Sequence, residues 1–329
     1  MRAKMNALRR KLLLASAGFP LLRAGLSCAA SAYPEKPIRM VVAFLPGTGS
    51  DILARVISQK LESRLGQSLF IDNRAGAGGT IGTGNMLRSD PDGYVLALST
   101  NATLITAPLL MEKPPYQANR DFTPIAGVAR TPMVVVTATR ESSPGSFDEM
   151  VAKARAGSSS FASAGVGTIG HLTSEMLVRR LALRSVHIPY KGSAPELTDV
   201  ARGEILFATD TPAACLPLIV GGQLRPLAVS GGSRLASLPD VPTLAELGVK
   251  DADLSVWWAV MAPRNLPEAV AQRLEEAVLG LATDADLRQK MKQLELEPMF
   301  LGRERLAAFI QTEYPFWRDF LSSTNIRLG

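Results

Sequence analysis

The sequence predicts an α/β protein of two lobes. Three observations carry that expectation: β-rich runs alternate with amphipathic helical runs, a strand, glycine turn and helix occur in that order once in each half, and 329 residues exceed what one core usually organises. With 47% hydrophobic and 20% charged residues the composition excludes disorder, and two cysteines exclude a disulfide scaffold.

Residues 1–11 are basic, 12–22 are apolar but broken by Pro20 and closed by Arg23, and Ala30-Ser31-Ala32 forms a small-x-small pattern before Tyr33. Residues 1–32 are therefore expected to be a signal peptide cleaved near Ala32. The apolar stretch is shorter than the roughly 20 residues that span a bilayer. Arg9-Arg10 weakly resembles a twin-arginine signal and Gly25-Leu26-Ser27-Cys28 is a poor lipobox, so plain export is the expectation. Cleavage would leave only Cys215, which allows no intramolecular disulfide. The leader also explains the net charge of +6, since it holds Arg2, Lys4, Arg9, Arg10, Lys11 and Arg23 and no acid. The remainder is neutral, and the argument from a basic domain to a nucleic-acid partner loses its premise.

After the leader, residues 37–44 (PIRMVVAF) read as a strand and Pro46-Gly47-Thr48-Gly49-Ser50 as a glycine turn. Residues 51–65 follow as a helix with Ile52, Leu53, Val56, Ile57, Leu61 and Leu65 on one face and Gly66 as its left-handed stop. Strands are predicted at 68–71 and 94–98, the second ending at Ser99-Thr100-Asn101, with another glycine loop at 73–79. Residues 125–128 and 133–137 are strand-like and flank a polar break at Arg130-Thr131-Pro132, where the chain is expected to change lobes. A helix at 147–156 leads to Phe161-Ala162-Ser163, the turn Ala164-Gly165-Val166-Gly167-Thr168, and a helix bearing Leu172, Met176, Leu177 and Leu181. The first unit has recurred. Strands follow at 186–188, 205–208 and 225–230, a return strand at 255–261, and amphipathic helices at 267–281, 285–294 and 303–321. This alternation predicts parallel sheets.

A helix that starts directly after a strand points unpaired N–H groups and the positive end of its dipole at the sheet's C-terminal edge, where an anion can sit. Glycines permit close approach of a carboxylate or phosphate, and Ser50 or Thr168 can add a hydroxyl. Taken singly, such turns serve equally well as plain connections; one in each half suggests two lobes gripping one small anion. A dinucleotide fold, and with it an NAD-dependent oxidoreductase, competes, because Gly47 and Gly49 match two fingerprint glycines and Asp72 ends the next strand, but Ile52 replaces the third glycine. Inventory disfavours other chemistry. His171, His187 and Cys215 cannot build the usual zinc cluster, and neither a G-x-S-x-G elbow nor a G-x-x-x-x-G-K-[ST] loop occurs, which leaves an unrecognised hydrolase as an outside alternative. No cofactor and no metal are expected. Trp257 and Trp258 read as core or hinge packing.

Several motifs in order then carry a resemblance: Pro46-Gly47-x-x-x-Asp51, Asn73-Arg74-Ala75-Gly76-Ala77-Gly78-Gly79, Pro91-Asp92-Gly93-Tyr94, Ala162-Ser163-Ala164-Gly165-x-Gly167-Thr168 with His171-Leu172, Pro189-Tyr190-Lys191-Gly192 and Leu238-Pro239-Asp240-Val241-Pro242-Thr243. From Tyr33 to the C-terminus the chain resembles the exported Bug-type receptors of the tripartite tricarboxylate transporter family. The resemblance implies a periplasmic-binding-protein (type II) fold, two α/β lobes joined by crossing strands, with residues 33–130 and 256–329 in one lobe and 131–255 in the other. It implies a non-enzymatic, monomeric periplasmic receptor that captures a small carboxylate for membrane permease subunits, or alternatively signals to a sensor protein. The first turn (Phe44, Pro46, Gly47, Thr48, Gly49, Ser50, Asp51) and its counterpart (Ser163, Ala164, Gly165, Val166, Gly167, Thr168) would hold the carboxylate by backbone N–H groups. Thr100, Asn101, His171, Tyr190 and Asp210 would tune the other end. His171 and Tyr190 are as readily explained by bonds within the protein. Thr48, Ala75 and Val166 depart from the family pattern, so the ligand is expected to differ in shape or polarity from the family's common dicarboxylates.

Overall fold

The computed structural model describes residues 33–322 and Ile326, and the expected signal peptide lies outside the described residues. The first sheet has six strands in the order β11-β4-β10-β3-β1-β2. Its members are β1 (Ile38–Val42), β2 (Leu69–Asn73), β3 (Val95–Thr100), β4 (Phe122–Pro132), β10 (Ser255–Pro263) and β11 (Glu297–Pro298). The second has five in the order β7-β6-β8-β5-β9: β5 (Val134–Ala138), β6 (Ser159–Ser163), β7 (Ser185–Pro189), β8 (Phe207–Asp210) and β9 (Leu224–Val229).

Both sheets are mixed, which corrects the all-parallel expectation. β1, β2 and β3 pair in parallel, but β10 runs antiparallel to β3 and β4, and β5 runs antiparallel to β8 and β9. The reason is the long crossing pair. β4 and β10 stay in register from Ser255 opposite Pro132 to Pro263 opposite Phe122, apart from two bulges. Arg130-Thr131-Pro132 is therefore strand rather than a break, and the chain passes from the first sheet to the second at Met133. Polar Thr131 is accommodated because its hydroxyl donates to the Glu295 carbonyl at 2.6 Å.

Helix α1 (Gly49–Leu65) buries Leu53, Ile57, Leu61 and Leu65 against the first sheet and ends at Gly66, whose φ of 73° lets its N–H reach Glu62 O. The second sheet is covered by α3 (Phe147–Ala156), α4 (Ile169–Arg180), α5 (Ser193–Ala201) and α6 (Pro212–Val220). The sequence analysis did not anticipate α5, α6 or α2 (Thr80–Leu87), because Gly, Ser and Pro at these positions mask the helical period. The C-terminal helices α7 (Glu268–Leu279), α8 (Ala285–Gln293) and α9 (Arg303–Ser322) pack back on the first sheet through Leu274, Leu306, Ile310 and Trp317. Among the described residues no helix is long and apolar enough to cross a membrane.

Candidate functional site

The turn after β1 is built from its own side chains. Thr48 caps α1, its hydroxyl accepting from Asp51 N at 3.4 Å and donating to Leu45 O at 3.0 Å. Asp51 is buried and serves the loop: Oδ2 accepts from the Gly47 amide at 3.1 Å and from Arg55, and Oδ1 accepts from Asn73. Burial pushes its carboxyl up, but these donors together outweigh it and hold the group below the usual carboxylate range. The Gly47 amide is thereby occupied, and Pro46 and Gly47 lie exposed on the outside of the turn.

The counterpart turn after β6 follows the same plan. Thr168 caps α4, accepting from His171 N at 3.3 Å and donating to Gly165 O at 2.8 Å. His171 is buried; its Nδ1 accepts from the Gly167 amide at 3.2 Å and its ring stacks on His187 at 3.9 Å between centroids. His187 Nε2 lies 2.7 Å from Ser163 Oγ, which also donates to Gly165 O. Burial lowers the His171 pKa to about 3, with the neighbouring His187 adding to it, and burial alone lowers His187 to about 4. Both rings are neutral at pH 7 and act as a prop under the turn.

The two turns wall one inner chamber of about 50 Å³. Phe44, Thr48, Gly49, Ser50 and Thr100 line it from the first sheet, and Ala164, Thr168 and Asp210 from the second. The sheets meet closely here. A Cβ on Gly49 would lie 2.7 Å from Thr211 Oγ1, and the Thr106 hydroxyl donates to Gly167 O at 2.6 Å. An outer recess of about 250 Å³ shares Phe44 and Ala164 with the chamber and is edged by Gly165, Val166, Tyr190, Lys191 and the 75–79 loop.

Not every expected residue reaches the chamber wall. Asp51, Ser163, Gly167 and His171 are bound inward in the loops they shape. Asn101 is buried, giving its amide N–H to Ser255 O at 2.9 Å. Tyr190 edges only the recess, its hydroxyl donating to Asp199 at 2.6 Å, and burial together with that carboxylate pushes its pKa up to about 12. Conversely, Ser193, Thr209, Thr211 and Trp258 line the chamber without having been anticipated. Trp258 is buried as expected of packing, but its indole N–H donates to Ser50 Oγ at 2.8 Å on the chamber wall. Thr211-Pro212 carried a readable signal, a cap residue followed by proline at the first helical position.

Four helices thus begin at the chamber: α1 on the first sheet, and α4, α5 and α6 on the second. Among the described residues no lysine, arginine or histidine lines it. The positive potential comes from helix N-termini, an arrangement that holds a small anion without a side-chain cation. Among the described residues no group of His, Cys, Asp and Glu is placed to hold a metal ion, and Cys215 is a buried free thiol.

Two sheets linked by a long crossing pair, with glycine turns facing across a shared chamber, define a two-lobed binding protein of the periplasmic-binding-protein type. The model of the tripartite tricarboxylate transporter family receptor matches residues 53–326, and the chain belongs to that family. The chain is 34% identical to Protein BugT of Bordetella pertussis over 321 residues, 96% of this chain and 98% of that one. Among solved structures, an R. palustris protein with adipate is 29% identical with a TM-score of 0.86, covering 90% of this chain and 99% of that one. MatC from Rhodopseudomonas palustris with bound malate is 26% identical with a TM-score of 0.81, covering 88% and 100%.

Proposed function

We propose that this chain is an exported, periplasmic receptor that captures a small carboxylated organic anion in the inner chamber and presents it to the permease subunits of a tripartite tricarboxylate-type transporter. The observation that carries the reading is the meeting of four helix N-termini from two sheets at one chamber without a lining cation. Neighbours bearing adipate and malate make carboxylates the natural ligand class. The lobes are taken as 33–130 with 256–329, and 131–255, closing by a hinge at the β4–β5 passage and at the start of β10. The contact residues are Thr48, Gly49, Ser50 and Thr100 on one side and Ala164, Thr168 and Asp210 on the other. Gly165, Val166 and Tyr190 shape the recess. Catalytic turnover and a cofactor have no part in this reading.

The test is a melting-shift screen of mono- and dicarboxylic acids followed by calorimetric titration. A 1:1 complex with at least one acid, without chemical change of the ligand, supports the reading. Failure of every acid to raise Tm, or consumption of the ligand, overturns it.

A further inference from the structure

The two turns that wall the chamber are not completed in the same way. The first is finished within its own sheet: Asp51 takes the Gly47 amide, Thr48 gives its hydroxyl to Leu45 O, and Asn73 donates to Phe44 O at 3.0 Å. In the counterpart turn the Gly167 amide is met from within by His171, but the Gly167 carbonyl is met from the other sheet, by the Thr106 hydroxyl. Both residues are buried, and among the described residues Thr106 is the one donor to that carbonyl. Gly167 also stands so close to the first sheet's side that a Cβ on it would lie 3.2 Å from Ala107 Cα and from Leu110 Cδ1.

Thr106 closes a π-helical turn (Ala102–Thr106) that follows β3 directly. Such turns are rare and gather at functional sites. This one is braced by its own groups: the Thr100 and Thr103 hydroxyls each accept the other's amide, and the Tyr116 hydroxyl donates to Thr103 O at 2.6 Å. A threonine hydroxyl has one proton to give. Two acceptors stand within reach of Thr106, Ala102 O one turn back at 3.5 Å and Gly167 O across the interface at 2.6 Å. The nearer one takes it. With the sheets apart, the hydroxyl falls back on Ala102 O, the usual acceptor for a helical threonine, and water covers the Gly167 carbonyl. The hydroxyl thus has a partner in either state, whereas the enclosed carbonyl depends on Thr106.

We infer that Thr106 is the latch of the closed state: its hydroxyl crosses to the Gly167 carbonyl as the sheets come together and slows the release of a held ligand without touching that ligand. Thr106 lines neither the chamber nor the recess, so it is a positioning residue. Removing its hydroxyl shuts a carbonyl away from water with no donor, a penalty that falls on the closed state alone. Because the latch is made after capture, the penalty shows in dissociation rather than association. The inference rests on the two-lobed receptor reading.

The probe is the acid with the largest melting shift in the carboxylate screen, succinate, malate and adipate among those tried. Affinity is read by calorimetric titration, and association and dissociation by stopped-flow tryptophan fluorescence, with Trp258 bonded to Ser50 on the chamber wall as the reporter. Thr106→Val, close to the parent in shape, should bind the acid about tenfold more weakly and release it about tenfold faster, with association within about twofold. Thr106→Ser keeps the donor and should return both values to within about threefold of the parent. Neither substitution should lower the ligand-free Tm by more than about 2 °C, since the open protein does not use the bond. Dissociation from Thr106→Val within about twofold of the parent, a serine variant no better than the valine one, or a ligand-free Tm that falls in step with affinity overturns the inference and leaves the receptor reading standing. If no acid of the screen binds the parent, both fall.

Discussion

Gly49→Ala is expected to weaken ligand capture without weakening the fold. The added Cβ would sit 2.7 Å from Thr211 Oγ1 and 3.1 Å from both Cβ and Cγ2 of that residue. Carbon atoms in good contact stand about 3.5 to 4.0 Å apart, so roughly half an ångström must be found. Rotating Thr211 cannot supply it, since its own Cβ is among the crowded atoms. The first turn of α1 and the cap of α6 must draw apart, widening the chamber between the sheets. Overpacking of this kind costs about 1 to 3 kcal/mol, which corresponds to a loss of affinity of roughly 5- to 150-fold if it falls on the closed state. The unliganded fold gains instead, because alanine is favoured over glycine in a helix by up to about 1 kcal/mol. Calorimetric titration with the tightest acid of the screen, beside melting of the ligand-free protein, separates the two effects. Thr211→Ala in the same chain should restore affinity, and the double-mutant cycle reads the coupling directly. Affinity within about twofold of the parent, or a fall in ligand-free Tm parallel to the fall in affinity, would refute the reasoning.

Three further expectations follow from the same geometry. Gly170→Ala should destabilise the protein by at least about 2 kcal/mol, seen as a drop in Tm of roughly 4 °C or more, because its methyl would run into the Thr209 carbonyl oxygen where α4 crosses β8. The buried histidine pair should make stability fall with acid: both folded pKa values lie below the ordinary histidine value, so the unfolded chain takes up protons first, and stability present above about pH 6.5 is lost as pH drops toward about 4 for His187 and about 3 for His171. Thermal melts from pH 7 to pH 4 should show a steeper decline for the parent than for His187→Gln; parallel curves would count against the prop. Gly47→Ala, at an exposed position with a φ of 85° and open space around its Cβ, should cost only about 1 to 2 kcal/mol of stability and leave affinity within about twofold, since the residue stands outside the chamber wall. A loss of affinity of about tenfold or more would argue that the outer side of the turn meets the ligand.

The recurring unit was legible because its determinants are local: the apolar stripe of α1, the caps Thr48 and Thr168, and the glycines Gly47 and Gly165 with their positive φ. The α3 span matches residue for residue, since Ser146 caps it and its apolar positions repeat at helical spacing. The strand direction was not legible. Nothing in the local pattern of β4 or β5 distinguishes a parallel from an antiparallel neighbour, and that choice is made by the long β4–β10 crossing. For His171 the sequence left wall contact and bonds within the protein equally open, and its ring turns inward to Gly167 and His187, a tertiary choice made by a partner from another strand. Ser193, Thr209 and Trp258 gave no local sign of meeting at one chamber, because they come from three elements joined only by folding.

The four helix mouths are divided unequally, three on the second sheet and one on the first. On the receptor reading, an arriving acid therefore settles on the larger share before the jaws meet, and the first sheet behaves as a lid that supplies the last grip through α1 and Ser50. On that same reading, emptying such a vessel requires only that the lid lift, and the surface a permease would grasp is the outside of the part that travels, not the floor on which the cargo rests.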